Sequence, residues 1–148
     1  MRKFRYRLEA VMRLRRIEKD RAMANFAKAL QRRLGMEKIC RGHAGRLRRI
    51  QEQISRRRHK AFHGSLQGYY WGAMQEAVSL LNTARNTVEQ ARREEEEVLQ
   101  QFLLAKTKAE ALEQLRRKRR QDHYRTETRL EEKVVEDLVN ASLYITNS

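Results

Sequence analysis

Four histidines, one cysteine and a run of four glutamates are the residues of this chain best suited to hold a metal or move a proton. His59 and His63 lie four apart, so on a helix they would share one face. A metal site needs more than two ligands, and no carboxylate or cysteine stands near this pair. The two read as solvated histidines beside a turn. Cys40 is the only cysteine, so no internal disulfide can form, and a reducing compartment is expected. It falls on an apolar stripe, where a small core residue fits better than a reactive thiol. Glu94–Glu97 are consecutive, and four consecutive helical residues point around the helix rather than toward one ion. They read as a solvated face with weak ion pairs. No nucleophile is set beside a base and an oxyanion donor. The chain therefore reads as a non-enzyme with no catalytic residue, no metal and no cofactor.

Arginine is the residue with the most to offer a partner. The chain of 148 residues carries 34 Lys/Arg against 19 Asp/Glu, a net charge of +15. Residues 1–65 hold 21 basic and 5 acidic side chains, or +16; residues 66–148 hold 13 and 14, or −1. The basic groups cluster as Arg13, Arg15, Arg16; Arg46, Arg48, Arg49; Arg56–Lys60; and Arg116–Arg120. Such charge invites a nucleic-acid reading. No recognised nucleic-acid module appears, however, and aromatics are not interleaved with the basic runs. An acidic protein surface would suit the same arginines equally well.

The elements that must position these side chains are helices. Charged residues make up 36% of the chain, apolar ones 40%, proline is absent and mean hydropathy is −0.91. That composition matches long helix or coiled coil. Apolar or small residues recur at three-four steps through Phe4, Leu8, Val11, Met12, Ala22, Phe26, Ala29, Met36, Cys40, Leu47, Ile50 and Ile54. Lys19 and Arg33 are polar misses, as are Arg15, His43 and Arg57. The rhythm resumes at Ala77, Leu81, Ala84, Val88 and Ala91, then Val98, Phe102, Ala105, Ala109 and Leu112, and later Leu130, Val134 and Leu138, with Glu95 interrupting. Arg116–Arg125 looks frayed or solvent-exposed. Gly35, Gly42 and Gly45 read as soft spots or close-contact points.

Gly64 and Gly68 lie between the two stripes, and glycine is cheap where the backbone turns. The expected fold is all-α: an antiparallel coiled-coil hairpin in a single domain, 1–148. Helix 1 spans about 3–62, the turn about 63–68 and helix 2 about 69–140, with a frayed tail at 141–148. A turn centred near Ser65 sets Ile54 against Ala77, Ile50 against Leu81, Leu47 against Ala84, Cys40 against Ala91, Ala29 against Phe102 and Phe26 against Ala105. Nearly every pair opposes a large residue to a small one, which fills a seam. The result would be a thin rod. No run of about 18 apolar residues exists to cross a membrane.

The opening "FRYRLEAVMRLRRIEKDRA" resembles the start of the FliJ family, the coiled-coil proteins of the bacterial flagellar type III export apparatus. The shared features are an aromatic-x-aromatic-x-Leu-Glu opening and an amphipathic Arg/Glu-rich helix. Length, a single central turn, aromatics just past it (Tyr70, Trp71) and the ending "KRRQDHYRTETRLEEKVVEDLV" also agree. The stalk proteins of virulence type III secretion, of YscO type, are a near alternative. The resemblance implies a rod like the γ subunit of rotary ATPases. It implies binding to the hexameric export ATPase (FliI-like) and the export gate protein (FlhA-like), with export chaperones as further partners. No specific nucleic acid is implied, and a basic coiled coil that binds nucleic acid stands as the rival reading. The implied location is cytoplasmic, peripheral to the inner membrane through those partners. Carried onto this sequence, the gate-binding positions are Trp71, Ala77, Leu81, Ala84 and Val88, four of which also lie on the seam. The ring-binding positions are Arg5, Arg7, Arg13, Arg16, Arg117 and Arg120.

Overall fold

The computed structural model describes residues 2–58 and 64–147. They form two helices, α1 (Glu9–Arg57, 49 residues) and α2 (Gly64–Asn147, 84 residues). The two pack against each other as an all-α hairpin, with no strand among the described residues. Strong helix formers and the absence of proline let both run without interruption. The chain divides into two compact units to which both helices contribute. One comprises Met1–Asp20 with Leu104–Ser148, and the other Arg21–Leu103.

In the Arg21–Leu103 unit the seam is continuous. On α1 the half-buried positions include Ala22, Phe26, Ala29, Arg33, Met36, Cys40, His43, Leu47, Ile50 and Ile54. On α2, Ala77, Leu81, Val88 and Ala91 are buried, while Ala84, Glu95, Val98 and Phe102 are half-buried. The steps alternate between three and four, the signature of two helices sharing one stripe.

The register differs from the one expected. Phe102 stacks on Phe26, with ring centroids 6.4 Å apart and planes 9° from parallel. The expected partners were Ala29 for Phe102 and Ala105 for Phe26. Three residues is close to one helical turn, so each helix keeps its face while exchanging partners. Matching large against small residues is nearly blind to such a slip.

The boundaries also move. Residues 64–68, expected in the turn, already belong to α2, and no described glycine has positive φ. Glycine costs only about 1 kcal/mol in a helix, less than the gain from continuing a packed one. His63, His59 and the rest of 59–63 lie outside the described residues. α1 runs through Gly35, Gly42 and Gly45 without a break. A Cβ at Gly35 or Gly42 would meet nothing within 4 Å, so neither is a close-contact point. At the other end α2 continues to Asn147 instead of fraying from 141.

In the second unit, residues 2–6 are not helical and α1 begins only at Glu9, not near residue 3. Phe4, Tyr6 and Leu8 alternate with exposed Arg5 and Arg7, and period two belongs to extended chain. Tyr6 is buried, and its hydroxyl donates to the Leu112 carbonyl at 3.2 Å. Phe4 stacks on Tyr6 and meets the His123 ring at 5.6 Å. The His123 Nε2 lies 2.9 Å from the Arg2 carbonyl. This strap covers α2 where helix 1 was expected to do so. Met12, fully buried, is the first core residue of α1 itself.

Candidate interaction surfaces

The two polar misses on opposite seams meet each other. Arg33 is half-buried on α1 and Glu95 half-buried on α2, and the Arg33 Nε donates to the Glu95 carboxylate. Arg33 also reaches Glu37 at 3.1 Å, Arg92 reaches Glu37 at 3.0 Å, and Arg32 pairs with Glu94. Hydrogen bonds from Arg92 and then Arg33 hold the Glu37 carboxyl below its ordinary value of 4.5. Bonds to Glu95 and then Glu37 raise Arg33. Within the acidic run only Glu95 enters the seam; Glu94, Glu96 and Glu97 are exposed, with Glu94 in a surface ion pair to Arg32, as a solvated face with weak ion pairs would be. A charge pair inside an apolar seam is matched in only one register, which large-small matching cannot provide.

Of the gate-binding positions, Ala77, Leu81 and Val88 are buried between the helices and Ala84 is half-buried. While the helices stay paired they have little surface to offer, so these four are seam. Trp71 is 60% exposed. It opens a groove on the outer face of α2 with Met74, Gln75, Val78, Ser79 and Asn82. The exposed face is therefore rotated from the expected one by about one residue, near 100° on a helix. Cys40 lines another groove with Leu81, Val88 and Arg85.

The ring-binding positions all fall in the unit that contains both chain ends. Arg5, Arg7, Arg117 and Arg120 are exposed, with the Arg120 guanidinium 5.7 Å from the Tyr124 ring centroid. Arg16 is paired with Glu113 at 2.8 Å, and Arg13 lies 4.0 Å from Glu9. Arg116 takes the next seam position and faces Glu9 at 3.6 Å. Its segment, 116–125, is helix and not frayed, and it is solvent-exposed on most faces, the other reading the sequence offered.

Leu130, Val134 and Leu138 were expected as seam but are exposed. Arg2 lies opposite His123, and beyond that point the described residues of α2 are almost all exposed. Val135, Val139, Leu143, Tyr144 and Ile145 are exposed too, Leu138 at 64% and Ile145 at 73%.

No helix among the described residues is long and apolar enough to cross a membrane. No group of three or more His, Cys, Asp and Glu among them is placed to hold a metal ion. Comparison with family models, curated proteins and solved structures returned no match.

Proposed function

We propose that this chain is a non-enzymatic coupling protein of a type III export apparatus, the flagellar one on the resemblance of its opening residues. It would bind the hexameric export ATPase through the unit holding both chain ends. The export gate protein would bind at the Trp71 groove, and export chaperones are further partners. The observation that carries this reading is the exposed apolar stripe from Leu130 to Leu143. A continuous exposed stripe of large apolar residues marks a surface that another protein covers. In the same unit Arg5, Arg7, Arg117 and Arg120 are exposed, so an acidic ring lining would draw this end in and the apolar stripe would then seat. The protein would sit in the cytoplasm, held near the inner membrane by its partners.

Mixing the chain with its cognate export ATPase should raise hydrolysis or promote ring assembly. The variant Leu130→Gln/Val134→Gln/Leu138→Gln should lose that effect while keeping its helix content. No effect of the wild-type chain at low salt would refute the proposal. Tight binding to generic DNA near physiological ionic strength, with no effect on the ATPase, would favour the nucleic-acid reading instead.

A further inference from the structure

The end of the Arg21–Leu103 unit where α1 stops and α2 starts has a chemistry found nowhere else in the chain. From Gln53 to Gln75 there is no carboxylate. Arg56 and Arg57 close α1, Arg58 follows it, and all three are exposed. Arg46, Arg48 and Arg49 precede them, also exposed. Among the described residues the ion pairs of this unit lie farther along, at Arg32, Arg33, Arg92 and Arg93, and none reaches these arginines. Tyr69 and Trp71, in the first turns of α2, are 71% and 60% exposed. One of these cations joins two of the aromatics in a cluster. The Arg57 guanidinium lies 5.2 Å from the Tyr70 ring centroid, and Tyr70 meets Tyr69 edge-on at 5.6 Å.

We propose that this basic, aromatic end of the hairpin binds directly to an anionic bilayer surface, with the arginines on lipid phosphates and Tyr69 and Trp71 in the headgroup layer. Three physical arguments select that partner. Tyrosine and tryptophan favour the boundary between water and hydrocarbon, because each ring has an apolar body and a polar tip. Arginine near an anionic leaflet gains about fivefold in binding per residue, and the missing carboxylates leave nothing to oppose it. Stable attachment takes two signals, and charge and apolar insertion are both present here. Tyr69 and Trp71 also expose rings on which bases could stack, so a single-stranded nucleic acid is the competing occupant that the experiment separates. The inference does not involve the ATPase, but it places Trp71 at lipid where the proposed export role places it at the export gate, so vesicles free of any gate protein test the lipid contact by itself.

Trp71 is the only tryptophan in the chain, so its fluorescence reports on this end alone. The full chain is titrated at about 0.15 M salt with phosphatidylcholine vesicles and with vesicles also containing phosphatidylglycerol. Emission should shift to the blue, and be quenched by brominated acyl chains, on the anionic vesicles only. Arg56→Gln/Arg58→Gln should weaken binding about 30-fold, following from about 1 kcal/mol per arginine. Tyr69→Ser should weaken it severalfold. Arg21→Gln/Lys28→Gln removes the same charge from exposed positions elsewhere on α1 and should change binding by less than about twofold. Circular dichroism checks that each variant keeps its helix. No blue shift on anionic vesicles would overturn the proposal. So would equal losses from the two double variants, or tighter quenching by a thymidine oligonucleotide than by vesicles.

Discussion

The two units solve one problem in different ways. The Arg21–Leu103 unit pairs helix with helix along an unbroken stripe and turns its two polar misfits, Arg33 and Glu95, into a matched pair. The unit with both chain ends runs out of helix on one side. An extended strap carrying Phe4 and Tyr6 finishes the packing as far as His123, and past that point α2 has almost nothing against it. Two packed helices can satisfy their own apolar faces. Past His123 the large apolar residues of α2 instead stay exposed.

Core truncations should separate the units' packed parts from the bare stripe most sharply. Leu81 is 4% exposed, so Leu81→Ala should cost about 2–4 kcal/mol in chemical denaturation. Met12→Ala should cost about as much, since Met12 is fully buried. Leu138→Ala should move stability by no more than about 0.5 kcal/mol apart from its small propensity change. If Leu138→Ala cost as much as Leu81→Ala, the stripe would be covered within the chain itself or by a second copy. Sedimentation at two concentrations would tell those apart.

The strap offers a smaller effect. Tyr6→Phe removes the hydrogen bond to the Leu112 carbonyl but keeps the ring, and should cost about 1 kcal/mol. A change of comparable size in the other direction is expected at the open glycines. Gly35→Ala and Gly42→Ala should each stabilise by up to about 1 kcal/mol, because the added methyl meets nothing and alanine favours helix. Destabilisation there would mean the backbone bends in solution at those positions.

The charged pair is tested by pH and by a double substitution. The Glu37 carboxyl is held below its ordinary value by Arg92 and Arg33. Its contribution is therefore fully present above about pH 4.5 and is lost as pH falls through the depressed value. An acid titration of stability should show this loss, and Glu37→Gln should flatten it. Glu95→Leu alone should destabilise by stranding Arg33, whereas Arg33→Leu/Glu95→Leu should recover or exceed wild-type stability while loosening register. Spin labels near residues 26 and 102 would then report more than one separation.

Much of the fold was legible because periodicity survives small errors. Ala77, Leu81, Val88 and Ala91 read as one stripe, and they are the buried residues of α2 in their unit. Register was not legible from apolar residues, because a slip of one turn preserves the stripe. It was legible from charge, since Arg33 and Glu95 were the misfits and misfits on facing seams are most easily accommodated opposite each other. The strap was misread because Phe4, Leu8 and Val11 satisfy a helical rhythm, while Phe4, Tyr6 and Leu8 satisfy an extended one. The short run alone did not decide between those periods. Of the carried-over gate positions, Ala77, Leu81, Ala84 and Val88 are buried or half-buried in the seam, while Trp71 is exposed on a neighbouring face beside half-buried Val78.

Hydrogen–deuterium exchange on the intact chain, alone and with saturating export ATPase, tests the central claim most directly. Alone, amides of residues 80–115 should be strongly protected and those of 128–147 should exchange fast, because a helix exposed on all sides opens easily. With the ATPase, protection should appear across 128–147 and leave the seam unchanged. Slow exchange at 128–147 in the chain alone, or no gain there with the ATPase bound, would contradict it.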